Sequence, residues 1–207
     1  MGRPAAFDRT AIASAALSLV AEGGTRAATM AAIAKRMGAP TGSIYHRYAS
    51  RDLLLADLWM TTVEGFQQGL LAALEDPDPL SACAGAARFS ANWVRAHPAE
   101  ARLLLLHRRD DFVEGPWPGE LQGRSKLLRK NLSDGLRAYA ARCFGSTAKA
   151  NLCRVYFAIL DVPLAAVKRY VESGRPMPVE VDQLMEAAAL AALEPRPPRS
   201  RRAMGSA

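Results

Sequence analysis

Apolar positions recur three and four residues apart along nearly the whole chain, and no stretch alternates with period two for long enough to form a strand. This spacing predicts a first helix from Arg9 to Glu22, with Asp8 as N-cap, Gly23-Gly24 as the stop, and Ile12, Ala16, Leu19 and Val20 on the inner face. A second helix runs from Met30 to Met37 under the cap Thr29, with Met30, Ile33, Ala34 and Met37 inward. A short third lies near Pro40 to Tyr48. Ser50 caps a long helix reaching Leu74, where Asp-Pro-Asp-Pro (76–79) ends it. Further helices are predicted over Pro79 to Ala96, Pro98 to His107, Gly119 to Cys143, Thr147 to Ser173 and Pro178 to Leu193, interrupted by PWPG (116–119) and by Gly174 to Pro178. The fold class is therefore all-α: a three-helix head, residues 1–52, followed by a larger helical body, residues 53–194. The last stretch, 195–207, is Pro/Arg/Ser-rich and reads as a disordered basic tail.

The segment Thr29 to Arg51, TMAAIAKRMGAPTGSIYHRYASR, carries the most information. A small residue, Ala34, stands four before Gly38, and Ile44 follows six after it. Such spacing lets two short helices cross closely: Ala34 leaves room, Gly38 takes a positive φ, and Ile44 plugs the corner. This is a helix-turn-helix. Thr41, Gly42 and Ser43 occupy the first turn of its second helix, the part that reaches deepest into a major groove. Gly42 is a poor helix former there, which either serves close packing or admits a nucleic-acid backbone or base. Tyr45 and His46, one step on, are suited to phosphate oxygens. Thr29 caps the second helix, alone or while also presenting that helix's N-terminus to a phosphate. Arg51 is either a phosphate contact or a solvated surface arginine, Tyr48 packs inward, and Arg3 is a flexible start or a minor-groove arm.

Charge supports a split in roles. The chain has 207 residues and a formal charge of +7. Residues 1–52 carry +4 and the tail 195–207 another +4, which leaves the middle slightly acidic. No run approaches the roughly 18 uninterrupted apolar residues of a membrane span, and no signal-peptide core is evident, so a cytoplasmic protein without a membrane partner is expected. Cys83, Cys143 and Cys153 have no paired spacing and read as reduced, buried thiols.

The run TMAAIAKRMGAPTGSIYHRYASRDLLL resembles the N-terminal signature of tetR-family transcriptional repressors, roughly T-x-x-x-I-A-x-x-x-G-V-S-x-G-T-L-Y-x-H-F-x-S-K-x-x-L. The resemblance covers about Phe7 to Leu55. It implies an all-helical homodimer with a ligand pocket in its C-terminal domain and ligand-controlled release from a palindromic double-stranded operator; the aromatic residues of the body add the expectation of a small, largely apolar effector. It also implies that Thr29, Tyr45, His46 and Arg51 contact phosphates and that Thr41, Gly42 and Ser43 read bases. The chain departs from the pattern at Ala39-Pro40 (for Val-Ser), Arg47-Tyr48 (for His-Phe) and Arg51 (for Lys). Proline at a first helical position partly offsets the lost cap.

The body shows no phosphate loop, no metal-ligand spacing and no nucleophile elbow, so neither catalysis, metal nor cofactor is expected of it. Its aromatic and polar residues Trp59, Phe66, Phe89, Trp93, His97, His107, Phe112 and Trp117, with Arg102, either line an effector cavity or fill the core. Two apolar stripes are candidates for a dimer interface built as a four-helix bundle, unless they are buried within one protomer. They are Leu128, Leu132, Leu136 and Tyr139, and Val155, Ile159, Val162 and Ala166. Two rival functions stay open: a helical small-molecule carrier or enzyme with a relic DNA-binding head, and a DNA-binding protein without an effector.

Overall fold

In the computed structural model, which describes residues 8–113 and 115–194, a polar side chain placed one residue earlier fixes the start of four helices. Helix α1 (Arg9–Gly23) begins where the Asp8 carboxylate accepts from the Ala11 N–H at 2.8 Å. Thr29 does the same for α2 (Met30–Met37), accepting from Ala32 at 3.1 Å. After α3 (Thr41–Tyr45), Ser50 caps α4 (Arg51–Ala73) and Asp78 caps α5 (Pro79–Ala96). These bonds satisfy N–H groups that a helix start otherwise leaves without partners. The body continues with α6 (Pro98–Leu106), α7 (Gly119–Phe144), α8 (Lys149–Tyr156), α9 (Val162–Ser173) and α10 (Glu180–Leu193). The described residues contain no strand, in keeping with an all-α reading. Arg3 and the tail 195–207 lie outside the described residues.

Two elements differ from expectation for reasons of backbone chemistry. Helix α3 is shorter than Pro40 to Tyr48, because Pro40 offers no side-chain cap and the chain turns off after His46. The helix expected over Thr147 to Ser173 contains a π-helical turn, Phe157–Asp161, between α8 and α9. Pro163 lacks the N–H that would bond four residues back, and widening the preceding turn accommodates this without ending the helix.

Side chains gather into two hydrophobic clusters. The lower one joins Ile12, Ile33 and Ile44 of the head, by way of Leu54 and Leu55 of α4, to Leu103, Phe112 and Trp117. Apolar packing thus runs on across residue 52. The upper one gathers Leu70, Ala87, Leu136, Tyr139, Val155 and Ile159. Helix α4 belongs to both, through Leu54, Leu55 and Met60 at one end and Phe66 and Leu70 at the other.

This packing corrects most of the dimer-interface candidates. Leu136, Tyr139, Val155 and Ile159 are completely enclosed within one protomer, and Leu128 nearly so. The protomer's own core occupies the most apolar positions, which hydrophobicity alone does not separate from an interface. Val162 and Ala166 are half-buried beside α10, in a groove shared with Leu184 and Ala188. The exposed apolar side chains of this region are instead Phe157 (51% exposed), Leu184 (69%), Tyr156 and Val179. The continuous stretch Lys149–Ser173 includes an 18-residue window of mean hydropathy 1.5 that is only 28% buried. By length and composition it could cross a membrane, a property masked in the sequence by interruptions at Arg154 and Asp161. The three cysteines are unpaired: Cys83 is buried, which pushes its thiol up to about 11, while Cys153 is exposed, contrary to expectation.

Candidate nucleic-acid interface and ligand cavity

The head's corner is built as its spacing requires. Gly38 has φ +63°, and the N–H groups of Gly38 and Ala39 return to the carbonyls of Lys35 (3.2 Å) and Ala34 (3.0 Å). This pair of bonds closes α2 and turns the chain toward α3. Ile44 is wholly buried at the crossing and Ala34 nearly so. Tyr48 is also buried, and its hydroxyl donates to Asp57 Oδ2 at 2.8 Å. Burial, and then that bond, hold its pKa well above the usual phenol value.

The opposite side of α3 faces outward. Thr41, Gly42 and His46 are exposed, Tyr45 is 52% exposed, and Ser43 is half-buried. A Cβ built on Gly42 meets nothing within 4 Å, so packing inside the protein does not require glycine there. An approaching partner then becomes the remaining reason for it. Gly42→Ala is expected to stabilise the fold by about 0.5–1 kcal/mol, a gain in helix propensity without a clash. It is also expected to weaken DNA binding by roughly tenfold, or about 1.4 kcal/mol. Thermal melting and fluorescence anisotropy with labelled duplex check the two halves separately.

Arg51 is held against the protein's own backbone, with its side chain still 32% exposed. Its Nε donates to the Ala28 carbonyl at 2.9 Å and its Nη2 to that of Thr25 at 2.5 Å. It therefore pins the turn that precedes Thr29 and the start of α2, a long-range role that local sequence does not reveal. Arg36 is held by Glu22 at 2.6 Å, whereas Lys35 and Arg47 are exposed on the head. Neither of these two cations stands out in the sequence pattern.

A polar relay ties the head to the body. Besides Tyr48, Asp57 takes a bond from Arg124 of α7 at 2.6 Å, and the same guanidinium reaches Glu64 at 2.6 Å and Thr61 at 3.0 Å. Arg102 adds a strut, donating from α6 to the carbonyls of Ala21 and Val171. Both contacts join residues more than sixty positions apart in sequence.

Beyond this relay, α4 forms one wall of a cavity of about 270 Å³, with α5, α6, α7 and α9 around it. Trp59, Phe66 and Trp93 line it, together with Val63, Gln67, Leu104, Leu132 and Leu164 among others. The remaining candidates lie elsewhere. Phe89 packs on Phe66 (centroids 5.6 Å apart) and over Gly69, where a Cβ would come within 2.3 Å of its ring. His97 is exposed and stacks on Trp93 at 5.2 Å. His107 stands beside Phe112 and Asp111, and Phe112 and Trp117 are buried in the lower cluster, Trp117 against Trp59 at 5.3 Å. Gln67 was missed because an isolated glutamine on an amphipathic helix carries no pattern of its own.

Comparison with known proteins bears out the family resemblance and the fold. Residues 12–58 match the family model of bacterial regulatory proteins, tetR family. The fold is similar to that of the tetR-family transcriptional regulator PfmR from Thermus thermophilus (TM-score 0.68, 19% identity, 90% of this chain and 96% of that one). It is similar, too, to the transcriptional regulator FadR from Bacillus subtilis, solved in complex with stearoyl-CoA (TM-score 0.68, 15% identity, 90% and 97%). A TetR-like transcriptional regulator from Rhodococcus sp. RHA1 aligns equally well (TM-score 0.68, 19% identity, 93% and 98%). No curated protein matches the chain in sequence.

Proposed function

We propose, because residues 12–58 match the model of bacterial regulatory proteins of the tetR family and the described residues have a fold similar to that of such regulators, that this protein is a dimeric repressor released from a palindromic operator by a small apolar effector. Residues 1–52 serve as the reading head and residues 53–194 as the effector-binding and dimerisation body, in a cytoplasmic setting. Thr41, Gly42 and Ser43 face base edges. Thr29, Tyr45 and His46 meet phosphates, with Lys35 and Arg47 adding charge nearby and Arg3 reaching the minor groove. The partner copy docks on the exposed apolar face of α8 to α10, which carries Phe157 and Leu184. Two copies of α3 then enter successive major grooves about 34–36 Å apart.

One observation supports effector control above the others: a single continuous helix, α4, both anchors the head and walls the cavity. Asp57, which holds Tyr48, precedes the cavity residue Trp59 by half a turn. An occupant that binds better when α4 is tilted changes the distance between the two heads, by no more than its differential affinity for the two states allows. FadR from Bacillus subtilis was solved with stearoyl-CoA. At about 30 Å³ per water-sized group, a cavity of 270 Å³ holds roughly nine such groups, about half a stearoyl chain, so a shorter molecule suits this chain. Full-length protein mixed with sheared DNA of its own genome should enrich a palindromic fragment, and an apolar compound should release it. Recovery of all fragments alike would contradict a regulator, and release by no apolar compound would contradict effector control.

A further inference from the structure

The Oε1 atom of Gln67 is buried in the wall of the α4–α9 cavity and has no hydrogen-bond partner among the described residues. Folded proteins pair nearly all their buried polar atoms, so an orphaned acceptor in the wall of an apolar cavity marks the place where a donor arrives. Water suits this place poorly. An ordered buried water takes about two to four polar partners, and apart from the indole N–H groups of Trp59 and Trp93 the side chains around Gln67 offer only hydrocarbon surface. Among the described residues no charged side chain lines the cavity either, so an ionised carboxylate or phosphate would lose its hydration with no countercharge in return. A purely hydrocarbon occupant would leave Oε1 as unsatisfied as before.

Resting on the effector reading above, we infer that the cavity selects a neutral, mainly apolar molecule bearing one hydrogen-bond donor, such as an alcohol, a phenol or an amide, and that Gln67 Oε1 accepts that donor. Its size follows from the roughly nine water-sized groups that fit at about 30 Å³ each. Gln67 lies on α4 beyond the Asp57 that holds the head's Tyr48. Recognition of the donor is thus made on the helix that would transmit it.

The test uses the full-length protein and the emission of Trp59 and Trp93, which line the cavity. Three probes are titrated: 1-octanol, its isomer heptyl methyl ether, which has no donor, and octanoate at neutral pH. The wild type is expected to bind octanol about tenfold more tightly than the ether, the equivalent of one charge-free hydrogen bond inside an apolar site, and octanoate more weakly still. Gln67→Leu should bring the ratio of octanol to ether to near one. An unchanged ratio in Gln67→Leu, or a preference for octanoate, overturns the inference. The cavity-filling variants Leu164→Phe and Leu132→Phe separate this from failure of the reading beneath it. If both fillers block every probe while Gln67 makes no difference, the effector cavity stands and donor selection falls. If neither filler weakens binding, or if no probe binds the wild type, the effector cavity falls and the inference falls with it.

Discussion

Glutamate at both Phe157 and Leu184 is expected to convert a dimer into monomers and to cut operator affinity by several powers of ten. Both side chains are more than half exposed on the face formed by α8 to α10, and two grooves on that face are shared between these helices. In a twofold assembly the pair occurs twice. Burying four such side chains contributes at least about 6 kcal/mol at ~1.5 kcal/mol each, or some four decades in the dimer dissociation constant. Added carboxylates would also have to enter a desolvated interface. Since each monomer keeps its own two hydrophobic clusters, secondary structure and probe binding in the cavity should survive. Sedimentation velocity reads the association state, and anisotropy with duplex reads the affinity. A variant that stays dimeric would place the interface on another face.

Ile44→Ala is expected to separate the two halves of the molecule in the other direction. Ile44 has no exposed surface and fills the corner between α2 and α3. Truncation removes its transfer energy and leaves a void, a loss of about 2–5 kcal/mol. The loss falls on a helix of five residues, far too short to persist without its packing. DNA binding should therefore vanish while octanol still changes the emission of the cavity tryptophans. The denaturant midpoint should drop, because the loss is a large share of the roughly 5–15 kcal/mol holding an ordinary domain together. Intact DNA affinity in Ile44→Ala would show that α3 is not the reading element.

How far such features could be read from the sequence depended on the distance over which they are determined. Caps at Asp8, Thr29 and Ser50 and the left-handed turn at Gly38 are local, and each shows in a few adjacent letters. The outward placement of Thr41, Gly42, Tyr45 and His46 was legible for the same reason, because Ile44 dictates which side of so short a helix turns in. The backbone bonds of Arg51 were not legible because its acceptors, Thr25 and Ala28, belong to another element. In the body, apolar spacing identified helices but not their neighbours. Tyr139 and Ile159 resemble interface residues in a helical projection and are core in space. Phe112 and Trp117 resemble pocket aromatics and instead seal the underside of the head. The π-helical turn before Pro163 follows from one missing N–H inside an otherwise regular apolar pattern.

The most direct measurement compares Thr41→Ala and Ser43→Ala with the wild type on the selected operator and on a scrambled duplex, over a range of salt concentrations. If the outer side of α3 reads base edges, both variants lose affinity for the operator, by about 1–3 kcal/mol for a lost base contact, and little for the scrambled duplex, while the slope of log affinity against log salt stays unchanged. Equal loss on both duplexes, or no loss on either, would contradict the assignment of this face to DNA.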